Sequence, residues 1–135
     1  MQDFRVGRVA CGLTRNEGNS RLLILIHGGM DRMSSMRRLT RQAIADCSVL
    51  AYDRRGYGAS HQPGDAPNLK THTDDFVGIL DYAERELGFN PGETFLFGHS
   101  MGGVIAIGGA IRRKVAGTAV YESPIAWMPA GGRDR

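Results

Sequence analysis

The segment that most narrows the possible folds is "FLFGHSMGGVIAIGGA", Phe95 to Ala110. It opens with strand-forming residues and closes with small and apolar ones. A single hydroxyl, Ser100, stands between the two halves, flanked by Gly98 and Gly102. The spacing predicts a strand that turns on Ser100 straight into a helix. A nucleophile held on such a turn takes a strained backbone with φ above zero, at a cost of about 1–3 kcal/mol. Side chains two positions before and after it would collide, so glycine is required at 98 and 102. The turn lifts the Ser100 hydroxyl clear of the sheet. It also leaves the Met101 N–H free at the helix start, where a developing oxyanion and the helix dipole would meet. Gly-x-Ser-x-Gly arises easily by chance in a chain with 19 glycines, so its weight comes from the strand-then-helix setting.

The rest of the chain alternates in the same way. "FRVGRVACGL" (Phe4 to Leu13) reads as one early strand, and "RLLILIH" as a strand buried on both faces. Ser34 or Ser35 is placed to cap a helix whose Met36, Leu39 and Ala43 share one stripe. "CSVLAY" is the third strand. Phe76, Ile79, Leu80, Ala83 and Leu87 fall at helical spacing, with Gly88 as a stop. "ETFLF", "MGGVIAIGGAIRR" and "KVAGTAVYE" then give strand, helix and strand. This order predicts an α/β fold, a predominantly parallel sheet with crossover helices in one domain over residues 1–135. Ligands of such sheets bind beyond the carboxyl ends of the strands. Three of those ends carry unusual residues: His27-Gly28-Gly29, Asp53 to Ser60, and Gly98 to Gly103.

Composition excludes several alternatives. Hydrophobic residues make up 41% and charged ones 23% of the 135, the balance of a globular domain. The longest apolar run, "LLILI", is too short to span a bilayer, and no leader precedes the mixed N-terminus, so a cytoplasmic protein is expected. Cys11 and Cys47 have no metal-ligand spacing and are expected as buried free thiols; neither metal nor cofactor is called for. The 17 basic and 14 acidic residues leave a net charge of +3. The cations are scattered in short groups, which argues against a nucleic-acid surface.

The second oxyanion donor should come from the loop after an earlier strand. "HGGM" after "LLILI" supplies it, with the Gly29 N–H as the expected donor and Met30 in reserve. His27 and Gly28 are read as support for that loop. His99 cannot easily serve Ser100, because the tight turn sends the two side chains apart. "HGG", "DRRGYGAS" and "GHSMGG", in this order and on these elements, resemble the α/β-hydrolase superfamily. The resemblance implies chemistry of the esterase, lipase, thioesterase, peptidase, haloperoxidase or C–C-bond hydrolase type, generally without a cofactor. The expectation is an esterase-, lipase- or thioesterase-like hydrolase that acts through an acyl-enzyme on a small acyl or ester-like substrate. Asp53, Arg55, Gly56, Gly58 and Ser60 match the family's Asp-x-Arg-Gly-x-Gly-x-Ser pattern, whose role is mainly structural. "YESP" resembles the end of the family's sixth strand.

The family's chain order is Ser, then an acid, then a histidine. Beyond Ser100 this sequence offers only Glu122 and Asp134 as acids, and no histidine. Glu122 is the candidate acid. His61 and His72 lie upstream and are not expected to act as base. The match is therefore expected to be partial, without the later strands, the lid and the catalytic histidine. Two readings follow: the N-terminal piece of a serine hydrolase, inactive alone, or a catalytically dead relative kept for ligand binding or subunit pairing. The tail "AGGRDR" reads as an interruption, and an uncovered last strand would favour self-association through the sheet edge. Trp127 and Met128 hint at an apolar pocket or lid entrance. A nucleotide-binding domain fits worse, since neither a dinucleotide fingerprint nor a P-loop is present.

Overall fold

The structure, a computed structural model, describes residues 1–124; Trp127, Met128 and Asp134 lie outside the described residues. Six strands form one sheet: β1 (Gln2–Val6), β2 (Val9–Thr14), β3 (Leu22–Ile26), β4 (Ser48–Asp53), β5 (Thr94–His99) and β6 (Gly117–Tyr121). Three helices accompany them: α1 (Arg37–Ala43), α2 (Leu69–Arg85) and α3 (Met101–Arg112). The spatial order is β1-β2-β4-β3-β5-β6. β3 runs parallel to β4 and β5, and β5 parallel to β6, while β1–β2 and β2–β4 are antiparallel. The expected parallel α/β sheet is present, with an antiparallel hairpin on one side.

That hairpin departs from the sequence reading, which took Phe4 to Leu13 as one strand. Gly7 adopts φ +57° and lets the chain reverse between Val6 and Val9. The Ser34 or Ser35 cap is absent too. Both serines sit in a short 3-10 turn, Met33–Met36, and α1 begins without a side-chain cap. Ser35 instead gives its hydroxyl to the Asp31 carboxylate.

β3 explains why its run is apolar throughout. Leu22, Ile24 and Ile26 pack with Phe76, Ile79 and Ile105 of α2 and α3 on one face. Leu25 joins Met36, Val49 and Ala51 on the other, with Leu23 beside them. The predicted α2 stripe is buried at Phe76, Ile79, Leu80 and Ala83, each large side chain contributing about 1.5–3 kcal/mol. Asn68 caps α2 by accepting the Thr71 N–H at 2.9 Å. Glycine at 109 lets α3 lie against the Phe76 ring.

The outer edge of β6 is exposed along almost its whole length. On the α1 side of the sheet, Leu23, Leu25, Leu39, Phe95, Phe97 and Ala119 line an apolar trough of about 470 Å³. Cys11 is buried and Cys47 half-buried, both free. No helix among the described residues is long and apolar enough to cross a membrane.

Candidate active site

Ser100 is the hinge between β5 and α3. Its backbone sits at φ 53°, ψ −121°, a region that L-residues rarely adopt. Two hydrogen bonds hold it there. The Ser100 N–H donates to the Tyr121 carbonyl at 2.8 Å, and the Ser100 carbonyl accepts from the Gly103 N–H at 2.9 Å. The flanking glycines are sterically obligatory. A Cβ on Gly98 would run into the backbone of Gly102 and Gly103, and one on Gly102 would overlap the Ile26 carbonyl and lie 2.7 Å from the His27 carbonyl. α3 thus packs directly on the end of β3. As the first residue of α3, Met101 has no intrahelical acceptor for its N–H. The serine is half-buried, and its hydroxyl bonds to none of the described residues.

The loop after β3 lies beside this elbow. A Cβ on Gly28 would fall 3.2 Å from both the Ser100 Cβ and the His99 carbonyl, so glycine lets the two turns meet. Gly29 is exposed, with open space around its Cα. Met30 follows at φ +55° and is 97% exposed.

His27 is fully buried and built into the loop. Its Nε2 receives the backbone N–H of Arg54 at 3.0 Å, and its Nδ1 lies 2.7 Å from the Gly28 carbonyl. A backbone N–H only donates and a carbonyl only accepts, so the ring is the neutral tautomer with the proton on Nδ1. Burial keeps its pKa below the ordinary value; the Gly28 bond opposes this and the Arg54 charge reinforces it. Both ring nitrogens are thus engaged by backbone groups.

The other histidines are also occupied or remote. His99 stacks on Tyr121, ring centroids 5.8 Å apart. His61 is exposed. The buried His72 takes the Arg54 guanidinium N–H at Nε2, 3.1 Å away. None of the four hydrogen-bonds to Ser100. Glu122, at φ +53°, follows the residue whose carbonyl holds the elbow and is exposed.

The Asp53–Ser60 loop is held by its own hydrogen bonds. The Asp53 carboxylate accepts the Met33 N–H at 2.8 Å and the Ala59 N–H at 2.9 Å. A side chain on Gly58 would strike it. Arg55 forms a two-pronged pair with Asp75 of α2 at 3.0 and 2.8 Å. Arg54, which sequence reasoning passed over as one of several scattered cations, is 2% exposed. No sequence signal sets it apart from the other cations: it follows β4, a strand buried at every position.

Comparisons with known proteins bear on the family and the fold. The family model described as serine aminopeptidase, S33, matches residues 18–132. The 2-hydroxymuconate semialdehyde hydrolase of Pseudomonas sp. (strain CF600) is 34% identical over 116 residues, covering 79% of this chain and 39% of that protein. Among solved structures, a membrane phospholipase A described as a bacterial virulence factor superposes with a TM-score of 0.75 at 25% identity, over 96% of this chain and 41% of that one. An alpha/beta hydrolase fold protein from Burkholderia ambifaria superposes with a TM-score of 0.74 at 21% identity, over 90% and 42%. The chain spans about two fifths of the length of these relatives.

Proposed function

The chain belongs to the serine aminopeptidase S33 family of α/β hydrolases, and from that premise we propose that Ser100 is the nucleophile of a hydrolase acting through an acyl-enzyme. Its hydroxyl attacks the carbonyl carbon of an ester-like or acyl substrate. The tetrahedral oxyanion is held by the N–H groups of Met101 and Gly29. The leaving group departs with a proton, and water releases the acyl group. The observation that carries this reading is the Ser100 backbone at φ 53°, ψ −121° between two glycines that cannot carry side chains.

We take the base for Ser100 to come from outside these 135 residues: His27 and His72 bond Arg54, His99 stacks on Tyr121, and the exposed His61 makes no bond to Ser100. Glu122 is the acid this segment offers to orient such a histidine. With the base missing, an oxyanion hole and binding leave only about 10³–10⁴-fold acceleration over water. The same observation favours a second reading for the 135 residues taken alone: a ligand-binding or pairing domain without turnover.

A fluorophosphonate probe followed by mass spectrometry tests the proposal. The full-length protein should be labelled at Ser100, with labelling abolished in Ser100→Ala. The 135-residue chain should label weakly or not at all. Absence of labelling in a full-length protein containing an additional acid and histidine would refute the hydrolase reading.

A further inference from the structure

We infer that Arg54 is the positioning residue of the oxyanion loop, held in place by His72 of α2; this rests on the assignment of Gly29 as an oxyanion donor. Arg54 is a buried cation whose side-chain partners include no carboxylate. Its Nε–H donates to the His27 carbonyl at 3.1 Å, its Nη1 to His72 Nε2 at 3.1 Å, and its guanidinium lies 4.6 Å from the centre of the Tyr57 ring. Its own backbone N–H donates to His27 Nε2. A buried guanidinium is expensive; here Nε serves the His27 carbonyl, Nη1 serves His72 of α2, and Nη2 is buried without a partner among the described residues.

The consequence follows from peptide planarity. In a trans peptide the C=O and the next N–H point in opposite directions. Arg54 Nε–H holds the His27 carbonyl and so fixes the plane between residues 27 and 28. Arg54 N–H fixes the His27 ring, whose Nδ1–H holds the Gly28 carbonyl and so fixes the plane between residues 28 and 29. The Arg54 guanidinium thus fixes the first plane, which carries the Gly28 N–H, while the Arg54 main chain, through the His27 ring, fixes the second, which carries the Gly29 N–H; the side chain acts on the second plane by way of the first. The arginine cannot drift, because a guanidinium only donates and His72 Nε2 must accept. Tyr57 closes the cluster edge-on against His27, with centroids 5.2 Å apart.

Two measurements on Arg54→Met decide this. In 15N spectra of the wild-type protein, His27 Nε2 should resonate as an unprotonated ring nitrogen and Nδ1 as a protonated one. Arg54→Met should shift the Gly28 and Gly29 amides while leaving distant core amides unmoved. In the full-length protein, kcat on a p-nitrophenyl ester should fall about ten- to a hundredfold with KM within about twofold, the signature of a misaimed donor. Arg54→Lys, which can still donate to the His27 carbonyl, should recover part of the loss. If Arg54→Met does not fold, His72→Phe, which leaves the arginine but removes its anchor, should give the same pattern in weaker form. Unmoved Gly28 and Gly29 amides, or a kcat loss matched only by loss of folded protein, would overturn the inference. A wild-type protein that hydrolyses no ester would refute the hydrolase reading instead, and the amide shifts would still decide the role of Arg54.

Discussion

The N–H of Ser100 donates to the carbonyl of Tyr121 across 2.8 Å, so the bend that presents the hydroxyl is braced by the end of the neighbouring strand. β6 therefore belongs to the site as well as to the sheet. The register continues the link, with His99 of β5 opposite Tyr121.

Ser100 holds a conformation that costs free energy and returns nothing to the fold. Ser100→Gly should therefore stabilise the protein by about 1 kcal/mol, the relief of a strained φ less the added entropy of glycine. Urea unfolding checks this, with a higher midpoint at unchanged slope. Probe labelling should vanish in the same variant.

The glycines divide into two kinds. Gly98→Ala or Gly102→Ala should cost about 3 kcal/mol or more, because the added methyl meets backbone that cannot rotate aside. Gly29→Ala has open space and should stay within about 0.5 kcal/mol of wild type. Thermal melts of the three variants, measured side by side, test the contrast.

Stability should fall as the medium is acidified from neutral. Burial and the Arg54 charge hold His72 down from 6.5 to about 4, and burial lowers His27 as well. Between pH 6.5 and 4 the unfolded chain binds the His72 proton and the folded one does not. This contribution is complete above 6.5 and is lost progressively down to 4. His72→Gln keeps an acceptor for Arg54 but does not titrate, so its stability profile should be flatter over that window, with a residual slope from His27. Denaturant titrations at several pH values decide the matter.

The 135 residues alone should self-associate. Among the described residues β6 has an unpaired edge, and Phe95, Leu39, Val120 and Tyr121 are exposed by 39, 37, 45 and 56%. Light scattering should give a mass that rises with concentration. Val120→Lys, which charges the strand, should move it toward monomer.

The elbow was legible because glycine, serine and the switch from strand to helix are written in consecutive residues. The Asp53 loop was legible only through its resemblance to the family pattern; the physical reason, a carboxylate that gathers backbone N–H groups with Gly58 pressed against it, is written in the structure. What escaped were contacts between segments. The reversal at Gly7 hid inside an unbroken run of strand formers, since one left-handed glycine leaves no gap in the pattern. Arg54 was one basic residue among many until the buried carbonyl of His27 and the ring of His72 were set against it. In the sequence His72 stands out only as an unsuitable base for Ser100, and its bond to Arg54 depends on how α2 packs over β4.

The most direct test of the central claim is a crystal structure of the full-length protein after reaction with a fluorophosphonate. Phosphorus should be bonded to Ser100 Oγ, with one phosphonyl oxygen about 2.7–3.1 Å from both the Met101 and Gly29 nitrogens. A label on another residue, or a phosphonyl oxygen turned away from those two N–H groups, would contradict the account.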